Sequence, residues 1–432
     1  MKQLCYCLCI VLLFLSCKNE RENTTIIGIT NPADYAEYLA ADQTKSYKSA
    51  LKEQQFWSKR LGEDSTGVGD LGPLAGAYSK LFETSGKIAF LKDAETVYKK
   101  AIQIASPNIK DGYIRSLAKN YISQHRFKEA TALLEESYKG VSNKHATELM
   151  LFDCYMEIGA YEKAETLLKK LENPSDYNYL IRISKWSDHK DQLDAAIRYM
   201  ERAMKIAESR NNKLLKIWTY SNIADYYGHD GNIKASYEHY LKTLALQPDN
   251  AYAKKGIAWI LYSKERNISE ANRIIDTLMK HHEVPDYYLL KAEMAAYEDN
   301  NALEKKYTNQ FLNVTANPMY GAMYNTYTIE ALVALDPSKA LLLAQEEVTH
   351  RATPETYHLL ALAQLASGAE EEALQTIETF VADKTSEPMA LLHSAMIYEA
   401  NGMDKKVETL QTELAEASYE IGPILTEIAA GL

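Results

Sequence analysis

Glycine and proline are scarce, 18 and 11 in 432 residues, roughly 7% together against about 12% in average usage. That leaves little turn-forming material for a many-stranded β fold and favours helices. Basic residues are outnumbered, 48 Lys and Arg against 59 Asp and Glu, for a formal charge of −11. The sign opposes nucleic-acid binding by phosphate neutralisation and leaves room only for local basic patches. Cysteine is nearly missing from the body of the chain: four of the five lie in the first seventeen residues, and Cys154 stands alone. Residues 18–432 therefore hold a single thiol and no pair that could form a disulfide among themselves. Cys154 falls in the apolar run Met150 to Tyr155 and reads as a buried core thiol rather than a nucleophile. The chain also lacks a phosphate-cradling glycine loop, a zinc-protease helix, a nucleophile elbow and a calcium loop. What is abundant is hydrophobic residue, 46%, and charge, 25%, enough for two to four domains or one elongated array.

The N-terminus carries the single long apolar run, Leu4 to Leu15 after Lys2. It suits the core of a signal peptide and falls short of the roughly 20 residues of a spanning helix. It ends Phe14-Leu15-Ser16-Cys17, which resembles the lipobox of bacterial lipoproteins. The resemblance implies a signal peptide over 1–16, palmitate or a related lipid on Cys17, and a lipidated tether over 17–32. Lys18 stands where an aspartate would resemble an inner-membrane retention signal, so the expected address is the outer membrane, its periplasmic or cell-surface face left open. An acidic chain gains little from anionic headgroups, and the acyl chains would supply the anchoring.

Beyond the tether the chain is periodic. A small residue recurs at Ala94, Ala130, Ala164, Ala196, Ser236, Ala271, Ala340, Ala373 and, less small, Val407, at intervals of 36, 34, 32, 40, 35, 69, 33 and 34. The 69 contains one degenerate unit, Tyr287 to Leu312. Four residues on stand Tyr98, Leu134, Leu168, Met200, Tyr240, Ile275 and Ile377, on the same helix face as the small residue. The clearest unit begins at Ile217, with Tyr220 fourth, Ile223-Ala224 seventh and eighth, Tyr227 eleventh, Gly231 fifteenth, Ser236 twentieth, Tyr240 twenty-fourth and Pro248 thirty-second. This pattern resembles the tetratricopeptide repeat, whose period is 34. The resemblance implies an all-α, right-handed superhelical solenoid of helix-turn-helix repeats over 73–410, about ten units with one degenerate. Helical caps belong at both ends, because outer faces of a solenoid meet water. The N-terminal cap, with Phe56-Trp57 sealing the first repeat and a Gly-rich connector behind it, is expected over 33–72, and a capping helix and tail over 411–432.

No residue is assigned to catalysis, no metal ligand and no cofactor. His281 and His282 are adjacent and diverge by about 100° on a helix, and Glu370-Glu371-Glu372 reads as solvated surface. The resemblance implies a non-enzymatic, membrane-tethered scaffold for protein–protein interaction that binds a peptide or protein partner on its concave face. A glycan-capture lipoprotein working with an outer-membrane transporter is the alternative. In such repeats the first helix lines the groove through positions two, five, nine and twelve. These fall on Arg115 and Lys119 in the second repeat, Lys185 in the fourth, Trp218 and Asp225 in the fifth, and Trp259 and Tyr262 in the sixth, with Arg182 beside them. The sixth assignment takes Ala258 as position eight and needs one extra residue before Ala271. Met150 and Asn178 replace the Asn and Lys of the peptide-carboxylate clamp of relatives. The expected ligand is an acidic or amphipathic segment anchored on Trp218 and Trp259; the competing reading is that these residues are solvated or interhelical.

Overall fold

The computed structural model describes residues 28–61, 67–140 and 143–432. The apolar run, Cys17 and most of the expected tether lie outside these. All regular structure among the described residues is helical. Ten antiparallel hairpins follow in order: Val68–Ser85 with Ile88–Ile104, Pro107–Ser123 with Phe127–Tyr138, Lys144–Glu157 with Tyr161–Lys170, Tyr177–His189 with Leu193–Ser209, and Lys213–His229 with Ile233–Leu246. Then come Ala251–Trp259, continued by Ile260–Lys264, with Ile268–Met279; Asp286–Tyr297 with Asn301–Thr315; Asn325–Val333 with Pro337–His350; Pro354–Ala366 with Glu370–Phe380; and Pro388–Ala400 with Asp404–Glu416. The architecture is an all-α repeat solenoid.

Local chemistry sets the helix starts. Asn143, Asp176, Asn212, Asn232, Asn250, Asn267, Asn300 and Asp336 each accept a hydrogen bond from a first-turn backbone N–H, satisfying donors that the helix cannot. The recurring small residues, Ala94 through Ala373, are all fully buried. At Ala196 the approach is close enough for Ser184 Oγ, on the partner helix, to donate to its carbonyl at 2.7 Å. The six surplus residues between Ala196 and Ser236 lengthen the two flanking helices to 17 residues each.

The row of hairpins curls back on itself, so early repeats touch late ones. The carbonyl of Ser85 accepts from the N–H of Glu283 at 2.7 Å, and Ile88 and Leu91 bury against Tyr320 and Met323. Arg351 reaches the Glu157 carboxylate at 3.1 Å and lies 5.2 Å from the Phe127 ring centroid.

Both ends differ from the expectation of simple caps. The first array helix begins at Val68 with Gly67 as its N-cap, so residues 68–72, expected in the connector, are helical, and Pro73 sits inside the first helix rather than opening the array. Helix Lys45–Leu61 packs on the first hairpin; of the expected sealing pair, Phe56 is exposed and Trp57 half-buried. Helix Pro32–Ala40 crosses instead to the fifth and sixth repeats. There Tyr35 is buried in their core and donates to Glu270 at 2.8 Å, while Thr30 donates its N–H to Glu265 at 2.6 Å. At the other end helix Asp404–Glu416 runs past residue 410 as the second half of the tenth hairpin, and Ser418–Gly431 turns inward.

Candidate binding groove

The inward turn decides what the concave face offers. Tyr419 lies against the fifth and sixth repeats: its carbonyl accepts from Trp259 Nε1–H at 3.1 Å and from Ser263 Oγ–H at 2.6 Å. Glu420 pairs with His229 at 2.9 Å. Gly228 and Gly422 permit this approach. A Cβ on Gly228 would lie 2.8 Å from the Tyr419 ring, and one on Gly422, whose φ is +76°, would lie 2.6 Å from Glu293.

The expected groove residues separate accordingly. Asp225 and Trp259 come together, lining with His229, Glu387 and Tyr419 a small hollow of about 260 Å³. Trp259 is half-buried there as a donor to the chain's own C-terminal segment, not an open anchor. Tyr262 does not face the groove: it is 0% exposed and donates to Glu293 at 2.9 Å. The reason is the extra residue, which enters as a π-helical turn over Ile260–Lys264. Inserting one residue into a helix rotates every later side chain by about 100°, so position twelve turns from the groove into the core.

Arg182 is also structural. It is buried, donates to the Leu149 carbonyl at 2.9 Å and pairs with Asp153 at 2.6 Å. Lys185 pairs with Glu157 at 2.8 Å, the carboxylate that Arg351 also holds, and so ties the two halves of the solenoid. Arg115 is half-buried and donates to Thr147 at 3.3 Å; Lys119 is exposed. Trp218 is 41% exposed, its ring edge-on to Tyr177 with centroids 6.4 Å apart. The basic stretch read from the sequence is thus largely spent on pairs inside the chain.

Two tyrosines outside the expected set line the inner face. Tyr252 is 55% exposed and Tyr327 46%, yet partial desolvation by the surrounding side chains still pushes both phenols up. Tyr252 Oη donates to Asp225 at 2.6 Å and Tyr240 Oη at 2.5 Å. Lys255 pairs with Asp286. Tyr252 and Lys255 occupy positions two and five of the sixth repeat in the register that placed Trp259, so the sequence carried their signal; Tyr327 lies in a repeat whose register is weaker.

Carboxylates dominate this surface. Burial holds Asp225 and Glu387 above their ordinary range and pushes Glu293 and Glu330 up to about 7. Unfolded, such carboxyls titrate near 4.5, so between pH 4.5 and 7 the folded chain keeps protons that the unfolded chain has released. Their contribution to stability is complete on the acid side and declines as pH rises through that window. Urea denaturation at pH 5 and pH 8 should show this decline. Glu293→Gln with Glu330→Gln should reduce it by roughly 2 kcal/mol, after allowance for partial solvent access; an unchanged pH profile would contradict the assignment.

Other sequence candidates resolve simply. Burial raises the Cys154 thiol to about 12. His281 is exposed, while His282 shares a 2.8 Å hydrogen bond with Tyr287 Oη. Among the described residues no group of three or more His, Cys, Asp or Glu could hold a metal ion, and no helix is long and apolar enough to cross a membrane.

The fold and register define a class, the helical-hairpin repeat solenoids. Residues 121–175 match the family model described as tetratricopeptide repeat. No curated protein matches. Among solved structures, the chain is similar to a tetratricopeptide repeat protein from Parabacteroides merdae at 17% identity, over 55% of this chain and 92% of that one, with a TM-score of 0.39. It is similar to human IFIT1, solved as a dimer with m7Gppp-AAAA, at 13% identity over 76% and 75%, TM-score 0.47. A signal transduction ATPase with a tetratricopeptide repeat sensor from Pyrococcus horikoshii is 15% identical over 86% and 56%, TM-score 0.39.

Proposed function

We propose that this chain is a non-enzymatic interaction scaffold, tethered to the bacterial outer membrane by lipid on Cys17, whose inner face binds an extended segment of a partner protein. The observation that carries this reading is that the inner face already holds polypeptide. Trp259 and Ser263 donate side-chain hydrogen bonds to the main-chain carbonyl of Tyr419, a mode that recognises backbone and tolerates many sequences. The neighbouring surface, with exposed Tyr252 and Tyr327 beside Asp225, Glu330 and Glu387, suits basic side chains, which gain from both the carboxylates and the ring faces. The partner segment is therefore basic, opposite in sign to the one expected from the sequence.

Fluorescence polarisation with labelled extended peptides tests this. Lys- and Arg-rich peptides should bind at least roughly tenfold more tightly than acidic ones, and Tyr252→Ala with Tyr327→Ala should remove most of that preference. A preference for acidic peptides, or none, would overturn the groove assignment. The anchor has its own test: Cys17→Ala should abolish labelling by a palmitate analogue and release the protein from membranes, whereas persistent labelling rejects Cys17 as the lipid site.

A further inference from the structure

A second concavity lies between the third and fourth repeats on one side and the ninth and tenth on the other. Its volume is about 920 Å³, within the range of small-molecule sites. Its walls carry Tyr161, Trp186, Tyr357, Phe380 and Tyr398. Tyr357 and Phe380 stack in parallel, centroids 4.0 Å apart and planes 7° apart, and Phe380 is still 39% exposed. The Tyr161 and His189 rings lie 4.2 Å apart, tilted by 30°, and His189 lies 5.6 Å from Trp186.

The polar groups of the cleft narrow the ligand class. A cation is disfavoured because ammonium groups already lie near the rings: Lys190 is 5.7 Å from the Trp186 centroid, Lys406 is 4.6 Å from Tyr398 and Lys384 is 5.9 Å from Phe380. An anion would meet Asp191, Glu378, Asp383 and Glu413. One carboxylate–lysine pair is closed within the cleft, Glu378 with Lys406 at 2.6 Å. A purely apolar ligand would desolvate these charges without replacing their hydrogen bonds. What remains is an uncharged ring with one apolar face and many hydroxyls, which can lie on an aromatic side chain while its hydroxyls accept from lysines and donate to carboxylates.

We propose that this cleft binds a neutral oligosaccharide, with the Phe380–Tyr357 pair as the stacking platform and Asp383 and Glu413 as hydroxyl acceptors. Its lining shares no residue with the hollow at Tyr419, and its assignment does not rest on the peptide reading. The test is calorimetric titration of the full chain with neutral hexasaccharides of glucose, xylose and mannose, with intrinsic tryptophan fluorescence recorded alongside. At least one should bind and perturb the emission. Phe380→Ala should weaken it roughly tenfold or more, Glu413→Gln should weaken it less, and Tyr252→Ala in the groove should leave it unchanged. Because Phe380 is exposed, its truncation leaves the fold intact, which a melting curve verifies. Absence of binding by all three saccharides at millimolar concentration would overturn the proposal. So would affinity that Phe380→Ala leaves unaltered, or a cleft that binds aromatic peptides in their place.

Discussion

Replacing Gly86 and Gly159 together by alanine is expected to open the solenoid. Each ends the first helix of a hairpin with positive φ, +70° and +75°, and each touches the backbone of a much later repeat. A Cβ on Gly86 would lie 2.8 Å from the Glu283 carbonyl carbon, and one on Gly159 would lie 2.6 Å from the Ala352 carbonyl oxygen. The left-handed conformation costs a non-glycine residue about 1–2 kcal/mol, and the clash with unyielding backbone adds roughly 1–3 kcal/mol at each site. The molecule itself provides the control. Gly231 and Gly368 have the same positive φ, but a Cβ there meets nothing within 4 Å, so alanine at those positions should cost only the conformational part. The Gly86/Gly159 pair should melt earlier than the Gly231/Gly368 pair and show a larger radius of gyration in solution scattering. Identical behaviour of the two pairs would mean that the contacts between early and late repeats do not stabilise the fold.

Removing residues 418–432 should have the other large effect. Ile421 and Ala429 are buried with Leu392, Ala395 and Leu414 of the tenth hairpin, and Leu425 packs beside them. A fully buried aliphatic side chain contributes about 1.5–3 kcal/mol, so the last hairpin should lose roughly 3–5 kcal/mol and fray first, since each repeat leans on its neighbours. At the same time Trp259 and Ser263 lose the Tyr419 carbonyl, and His229 loses Glu420. The truncated chain should therefore bind basic peptides more tightly than the full chain despite its lower stability. Tyr419→Ala, which keeps the helix and the main-chain carbonyl that Trp259 and Ser263 hold, should leave peptide affinity close to that of the full chain. If truncation changed neither the denaturation curve nor peptide affinity, the C-terminal segment would have no hold on the groove.

The period, the all-helical class and the small interhelical positions were legible in the sequence because they depend on contacts within a hairpin or between adjacent hairpins. Ala130 packs on its neighbours for reasons contained in some 40 residues, and the spacing of apolar and small side chains carries all of them. The extra residue before Ala271 was equally visible, but its consequence was not: whether it lengthens a loop or enters a helix as a π turn is settled by packing, and that choice put Tyr262 in the core. The tertiary structure alone decided the contacts that join distant repeats. Thr30 with Glu265, Glu157 with Arg351 and Trp259 with Tyr419 arise because a small rotation per repeat accumulates until the chain meets itself, and no local pattern records that sum. The charge of the groove follows from the same closure. Pairing consumed Arg182 and Lys185, while Asp225 and Glu387 line the hollow, so the basic stretch in the sequence did not become a basic surface in the fold.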